Sequence, residues 1–239
     1  MSDPVRLCAE AYAGWHTSWL TALGLRSERV NGLWQALDRP PLIYLAGITL
    51  EPGVPSERLA KVPGSVGDVW QTLDLDPFRF RVWRKEPWFY RAPGRLPLSP
   101  PAELEVVRVR TPDDVIEFEA VSVRGFGNEA DAIEPGTFHP PDILDDDAMQ
   151  MFIGLVDGRP VAASMGYVLD GAVGVFGVAT VASARRRGYG AALTRAAMLT
   201  DTGLPSVLAP SEEGASMYRS LGFKRVGELT IWSKAAPAP

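Results

Sequence analysis

The feature that most constrains this chain is a glycine-rich turn between an apolar run and a helical run. Residues 178–191 read VATVASARRRGYGA, so three arginines stand directly before Gly188 and Gly190. The first N–H groups of a helix have no acceptor within the helix, and glycine lets an anion reach them without a Cβ in the way. The pattern predicts a strand, a loop that cradles a pyrophosphate, and a helix.

Two other phosphate-binding motifs do not fit these residues. A P-loop needs Lys followed by Ser or Thr after its glycines, and neither follows Gly190 here. The dinucleotide-binding fingerprint needs a third glycine, and Leu193 occupies that position. Both of these nucleotide-binding classes are therefore excluded.

Composition narrows the class of protein further. The 239 residues carry a formal net charge of -5, so the molecule as a whole has no cationic field to attract nucleic acid or an anionic membrane. A single cysteine, Cys8, and two histidines exclude an internal disulfide and a zinc site built from soft ligands. The chain has neither an apolar run of about 20 residues nor the apolar core of a signal peptide. We therefore expect a cytoplasmic protein with no metal, no nucleic-acid partner and no membrane partner.

A proline-rich stretch divides the chain. Residues 92–101 read APGRLPLSPP and follow neither a helical nor a strand period, which is typical of a semi-rigid linker. We predict an N-terminal α+β domain over residues 1–96, a linker over 97–102 and a second domain over 103–239. Six of the seven tryptophans precede the linker, whereas the glycine-rich turn follows it.

The second domain has a regular alternation of elements. Thr111 and Pro112 supply an N-cap and a first helical residue, Asp157 and Gly158 predict a hairpin turn, and Gly203 is expected to end the helix after the glycine-rich turn. The predicted order is strand, helix, a meander of three strands, helix, strand, helix and strand. The three meander strands are predicted over residues 149–156, 160–169 and 172–181.

A second motif follows near the C-terminus. Residues 210–223 read PSEEGASMYRSLGF, a short helical run that ends in LGF. The ordered pair of motifs resembles the GCN5-related N-acetyltransferase (GNAT) family, whose acyl-CoA motif Q/R-x-x-G-x-G/A is matched by Arg185, Gly188 and Gly190. The resemblance covers about residues 103–234. It implies an α/β fold in which helices flank a mixed, mostly antiparallel sheet that splays between its fourth and fifth strands.

The resemblance also implies an activity and a set of binding residues. It implies transfer of an acetyl group from acetyl-CoA, the acyl donor, to a primary amine by direct attack in a ternary complex. The backbone of the third meander strand would pair with the pantetheine arm, and the N–H groups of the turn would hold the pyrophosphate. The cofactor-binding residues implied are Val178, Ala179, Thr180, Arg185, Arg186, Arg187, Gly188, Tyr189, Gly190, Ala191 and Ser211. The family often carries Asn at the position of Ser211, so this residue departs from the pattern.

Two catalytic residues are expected. Tyr218 is implied as the general acid, because a phenol donates its proton only as charge develops on the departing thiolate. The amine must also lose a proton, and Glu129, Glu134 and His139 all lie in the loop where an acceptor would enter. None stands in a diagnostic motif, and we take Glu134 as the predicted base.

The same loop is strongly acidic. From residue 125 to residue 158 the chain has eight Asp or Glu residues and no Lys or Arg. In a binding site this charge would favour a cationic amine acceptor over an anionic one. The alternative is a solvated acidic surface with no role in recognition.

The first domain leaves two interpretations open. Residues 74–91, DLDPFRFRVWRKEPWFYR, resemble in outline residues 218–234, YRSLGFKRVGELTIWSK. The first half is therefore either a degenerate GNAT half-repeat without a cradle or an unrelated α+β domain. In both cases we expect it to pack on the second half and to wall the acceptor side.

The predicted function has two alternatives. One is an inactive sensor or scaffold that binds acyl-CoA without transfer, and the other is a protein-interaction module built from the aromatic first half. The identity of the amine, the acyl-chain preference and the choice between monomer and homodimer are left open by the sequence.

Overall fold

A single sheet of eleven strands runs through both predicted domains. The structure is a computed structural model that describes residues 3–96, 99–169 and 171–234. In that part of the chain the helices are α1 (Pro4–Ala22), α2 (Ser56–Leu59), α3 (Pro112–Phe126), α4 (Tyr189–Met198) and α5 (Ala215–Ser220). The strands are β1 (Ser27–Val30), β2 (Leu33–Ala36), β3 (Gly47–Thr49), β4 (Val66–Asp68), β5 (Arg81–Arg91), β6 (Glu105–Arg108), β7 (Met149–Val156), β8 (Arg159–Leu169), β9 (Ala172–Thr180), β10 (Ser206–Leu208) and β11 (Lys224–Ser233).

The sheet is mixed and mostly antiparallel, as predicted. Its strand order is β1-β2-β3-β4-β11-β5-β10-β9-β8-β7-β6. The parallel neighbours are β3 with β4 and β9 with β10, and the other pairs that the registers define are antiparallel. The α/β fold class expected from the sequence is therefore confirmed.

Apart from the edge strand β6, each side of the sheet consists of four consecutive strands followed by one strand from the other half. Strands β1 to β4 lead to β11, the last strand of the second half, and β7 to β10 lead to β5, the last strand of the first half. β5 and β11 lie side by side at the centre, antiparallel from Tyr90 opposite Lys224 to Arg81 opposite Ser233. This arrangement supports the half-repeat interpretation, with the last strands of the two halves exchanged.

The exchange has a consequence for the predicted linker. β5 precedes residues 97–102, yet it lies between β10 and β11, which both follow them. Pro97 and Leu98 are outside the described residues. The division of the chain at this point stays a prediction, but the two halves share one sheet.

The helices cover both faces of this sheet. α1 crosses the centre of one face, where a Cβ added to Gly174 of β9 would lie 3.3 Å from Ala11. α3 shares that face, because both helices pack against the short 3-10 helix Pro141–Asp145. The next residue of β9, Val175, belongs to a core with residues of α4 and α5 on the opposite face.

The local signals predicted most element starts correctly. Thr111 caps α3 in a capping box with Asp114, and the hairpin residues Asp157 and Gly158 have φ values of +51° and +71°. β7 spans the predicted residues 149–156.

One predicted helix end is wrong. α4 ends at Met198 and not at Gly203, because the N–H of Leu199 is shared between the carbonyls of Arg195 and Ala196 and tightens the last turn. Among the described residues, no helix is both long and apolar enough to span a bilayer.

Candidate functional site

The candidate site is a cleft between β9 and β10. These parallel strands pair at only two positions, near the start of each, and β10 ends at Leu208. β9 continues to Thr180, and its register with β8 shifts near Gly177, whose φ is +58°. The far half of β9 therefore presents a backbone edge to the cleft that β10 does not cover.

The glycine-rich turn lies at the open end of this cleft. After β9 the chain reaches α4 through Arg186 and Gly188, whose φ values are +66° and +85°. The first hydrogen bond of α4 runs from Ala192 N to the Gly188 carbonyl at 3.1 Å. The N–H groups of Tyr189, Gly190 and Ala191 precede that bond, so they are donors that the helix itself does not use.

Gly190 is the point at which three elements approach one another. A Cβ here would lie 3.3 Å from Met217 Sδ of α5 and 3.6 Å from Thr180 Oγ1 of β9. One turn later in α4, Thr194 Oγ1 donates to the Gly190 carbonyl at 2.8 Å. A large side chain at residue 190 would fill the space between the strand and the two helices.

The three arginines of the turn have different surroundings. Arg185 donates from Nε to the Thr180 carbonyl at 3.2 Å and from Nη2 to the Gly125 carbonyl at 3.0 Å. Its side chain thus ties the end of β9 to the end of α3. Arg186 and Arg187 are exposed beside the N-terminus of α4.

Two of the predicted contact residues have local structural roles. The Tyr189 side chain is buried, and its hydroxyl donates to Glu103 Oε1 at 3.0 Å. Ser211 Oγ accepts from Gly214 N at 3.2 Å and so helps to start α5. For Tyr189 this leaves the backbone N–H, rather than the ring, at the cleft.

Tyr218 lies on the α4 face of the cleft. Its ring is 8% exposed and makes an edge contact with Phe223 at 6.0 Å between centroids. Burial raises the pKa of Tyr218 to about 12, and a hydrogen bond with the Thr194 side chain acts in the opposite direction. The phenol therefore stays protonated at neutral pH, beside the helix that carries Gly190.

The three candidate bases have different surroundings. The Glu129 carboxylate accepts from Ser183 N at 2.9 Å and from its hydroxyl, and these bonds lower the pKa of Glu129. His139 is buried against Trp19, 4.6 Å between ring centroids, and burial lowers its pKa to about 3. Glu134 is exposed, and within the described residues its side chain has no hydrogen bond or ion pair. Its assignment as the base stays a prediction.

The residues on the α1 face of the cleft were not predicted from the sequence. Tyr12 of α1 bridges the gap between β9 and β5, with its ring centroid 5.8 Å from Phe176 and 5.5 Å from Trp88. Glu86 of β5 is close enough for its charge to add to the rise that burial causes in the pKa of Tyr12. The strand period was an available signal, because it places Arg84, Glu86 and Trp88 on one face of β5.

Solved structures provide the comparison for this fold, since no protein-family model and no curated protein matches the chain. A GCN5-related N-acetyltransferase from Kribbella flavida is similar with a TM-score of 0.63 and 22% identity, over 93% of this chain and 95% of that one. A GNAT-family protein from Novosphingobium aromaticivorans has a TM-score of 0.63 and 20% identity, over 96% and 99% of the two chains.

A third solved structure, a GCN5-related N-acetyltransferase-like protein from Streptococcus suis, has a TM-score of 0.54 and 15% identity, over 98% of this chain and 99% of that one. These likenesses include the first half, which the sequence resemblance did not cover. They extend over nearly the whole length of each chain, so both halves of the sheet are included in the similarity. The chain has the fold of the GCN5-related N-acetyltransferase (GNAT) family.

Proposed function

We propose that this protein binds acetyl-CoA in the cleft and transfers its acetyl group to a primary amine by direct attack in a ternary complex. One observation carries the proposal: the uncovered edge of β9, the N-terminus of α4 with Gly190, and Tyr218 of α5 meet around the same space. Each of these three features would contact a different part of acetyl-CoA.

The residues fit that ligand. The N–H groups of residues 186–191 would hold the pyrophosphate, since they stand at a helix N-terminus where the dipole favours negative charge. Arg186 and Arg187 add positive charge that is exposed beside it. The backbone of Val178 and Thr180 would pair with the amide-rich pantetheine arm, while Ala179 packs on α3, 2.7 Å from a Cβ built on Gly125.

Tyr218 would protonate the leaving sulfur. Its raised pKa keeps the proton on the phenol until the C–S bond breaks, when a thiolate accepts it. Thr194 is hydrogen-bonded to Tyr218 and to the Gly190 carbonyl, so it would fix the position of the Tyr218 hydroxyl relative to α4.

Calorimetric titration with acetyl-CoA tests the binding site. Wild type should bind, and Gly190→Leu should lose binding because the new side chain meets Met217 and Thr180. Gly203→Leu is the matched control, since Gly203 is exposed in the turn after α4. Absence of binding by wild type, or equal binding by Gly190→Leu, would contradict the proposed site. Binding without transfer to any amine would instead support the acyl-CoA sensor.

A further inference from the structure

The cleft has a second face, and that face is built by the first half of the chain. We call Tyr12, Trp15, Trp88 and Phe176 the aromatic cluster. Tyr12 stacks on Phe176 at 5.8 Å and on Trp15 at 6.0 Å, and Trp15 lies 5.1 Å from Phe176. Phe176 belongs to β9 just where the β10 pairing has ended, so the cluster lies over the cleft on the face opposite Tyr218.

A single carboxylate borders this cluster. Glu86 lies three residues beyond Phe89, which pairs with Leu208 at the end of β10. β5 therefore carries Glu86 past β10, to the open part of the cleft. The Glu86 side chain is 13% exposed, and its Oε1 pairs with Arg84 Nε at 2.9 Å.

A charged group and a titratable group face Glu86. Arg84, on the same strand, lowers its pKa, and burial, the larger effect, raises it. Tyr12, from α1, is the titratable neighbour on the other side, and burial keeps its phenol neutral at neutral pH. On β11 the residue opposite Glu86 is Leu229, which is apolar. Arg84 also lies over the Trp83 ring at 4.2 Å, and its ion pair with Glu86 is made to Oε1.

We propose that Glu86 is the base that deprotonates the acceptor, and that the acceptor is an organic ammonium ion whose apolar part rests on the aromatic cluster. This inference rests on the proposed function and names its substrate class. Aromatic rings and a mostly buried carboxylate both attract a cation, whereas an acceptor with its own carboxylate would meet repulsion from Glu86.

The proton and electron balance is complete with these groups. The ammonium gives one proton to Glu86, directly or through one water, and the freed nitrogen lone pair forms the N–C bond to the acetyl carbonyl. The C–S bond breaks, its electron pair leaves with sulfur, and sulfur takes the Tyr218 proton. The nitrogen still carries a second proton after the N–C bond forms, and it releases that proton to solvent as the amide forms. Solvent also removes the proton from Glu86 and reprotonates Tyr218, so one proton is released overall and no further reactant is needed.

Two probes and four glutamate variants test this assignment. The probes are phenethylamine, and phenylalanine as its carboxylate-bearing counterpart, with turnover followed by release of the CoA thiol. Phenethylamine should be the better acceptor by at least tenfold in kcat/KM. Glu86→Gln should lower kcat about 100-fold and abolish the loss of rate at acidic pH, because that loss reflects protonation of Glu86. Glu228→Gln is the matched control: Glu228 lies on neighbouring β11, paired with Lys85 and Arg225, and its replacement should leave the rate unchanged.

Binding supplies a readout that does not depend on turnover. Calorimetric titration of phenethylamine into the complex with CoA should show at least tenfold weaker binding in Glu86→Gln, with the affinity for CoA itself unchanged. If Glu86→Gln does not fold, Glu86→Asp decides, because it keeps a carboxylate and should shift the acidic limb of the rate without removing it. An unaltered limb in that variant would overturn the assignment.

Three further results would contradict the inference or the function on which it rests. Equal rates for Glu86→Gln and Glu228→Gln would remove Glu86 from the chemistry while the proposed function stood. Loss of the acidic limb in Glu134→Gln, with Glu86→Gln unaffected, would return the role to the loop residue. A wild type that binds acetyl-CoA but acetylates neither probe nor any other amine would refute the proposed function itself.

Discussion

The two halves of the sheet share an arrangement of strands but differ in how they join their parallel pair. In each half the parallel strands, β3 with β4 and β9 with β10, pair at only two positions. Between β9 and β10 the chain has Gly188, Gly190 and a helix of 10 residues, whereas between β3 and β4 it has α2, with 4 residues. Both halves therefore have a splayed pair of parallel strands, but only the second half adds a glycine-rich turn and a long helix to it.

The first half closes its splay with its own polar groups. Thr49 Oγ1 accepts from Val69 N at 2.9 Å, just after the last parallel pair. The buried Asp68 carboxylate accepts from Thr72 N at 3.3 Å and from Leu73 N at 3.0 Å, which turns the chain tightly after β4. In the second half, the chain after β10 leads to Ser211 and on to α5, and the β9 edge stays uncovered. A splayed pair of parallel strands therefore offers a binding site only where the protein's own side chains leave the gap open.

The largest expected effect concerns the helix that joins the halves, α1. His16 lies on α1, and His139 packs on Trp19 of α1; burial lowers their pKa values to about 4 and about 3. Both pKa values are lower in the folded protein than in the unfolded chain. The stability that the neutral histidines allow is therefore fully present above the unfolded pKa, and it is lost as the pH falls from the unfolded pKa towards the folded one. Each histidine should cost about 2 kcal/mol between pH 7 and pH 5.

Urea unfolding at the two pH values checks this. His139→Leu cannot take up a proton and should lose about half of the pH dependence. Asp68 and Glu86, whose pKa values burial raises, act in the opposite direction at lower pH. A single cooperative transition in which both halves lose structure together would show that α1 couples them. Two separated transitions would show that the halves unfold independently.

The next effect compares a tyrosine from each half. Tyr218→Phe should lower kcat about 100-fold, which corresponds to about 2.7 kcal/mol, with the affinity for acetyl-CoA nearly unchanged. Tyr44→Phe removes a buried hydroxyl that donates to the Phe138 carbonyl at 2.7 Å and should cost about 1 kcal/mol of stability without a similar loss of rate. Steady-state kinetics and thermal melts of the two variants would separate the roles, and an unchanged kcat for Tyr218→Phe would remove it as the acid.

A pair of glycines tests the turn itself. Gly188 and Gly53 have φ values of +85° and +78°, and a Cβ on either meets no atom closer than 3.5 Å. Substitution by Ala should therefore cost each about 1 kcal/mol of stability, since both adopt the left-handed conformation. Only Gly188→Ala should also weaken acetyl-CoA binding, by about tenfold or 1.4 kcal/mol, as measured by calorimetry. Equal affinities in the two variants would show that the turn is not the anion site.

The smallest effect concerns the closure of the first half. Thr49→Val removes the hydroxyl that satisfies Val69 N and should destabilise the fold by about 1 kcal/mol. Thr49→Ser keeps the hydroxyl and should cost less. Neither variant should change the affinity for acetyl-CoA, because no glycine-rich turn stands beside β3. A second acetyl-CoA binding site in Thr49→Val would show that the Thr49 hydroxyl alone keeps the gap between β3 and β4 closed to the ligand.

Much of the second half was readable from local signals. The capping box at Thr111, the hairpin at Asp157 and Gly158, and the alternation in β7 each depend on a few neighbouring residues, and each is present in the structure. The end of α4 was not readable, because a shared hydrogen bond and not a glycine ends it. The base candidates came from loop composition, which carries no information about where a side chain points.

By itself, the sequence determined the glycine-rich turn at a helix start and the presence of a second motif with Tyr218, since both are local patterns of period and spacing. The ordered pair of motifs carried the family resemblance, and that resemblance implied the fold class. Only the tertiary structure decided that β5 crosses into the other half, that Arg185 ties β9 to α3, and that Glu86 comes close to Tyr12. The reason is physical: strand partners are chosen by burial across the whole chain, and residues distant in sequence become neighbours only when the sheet forms.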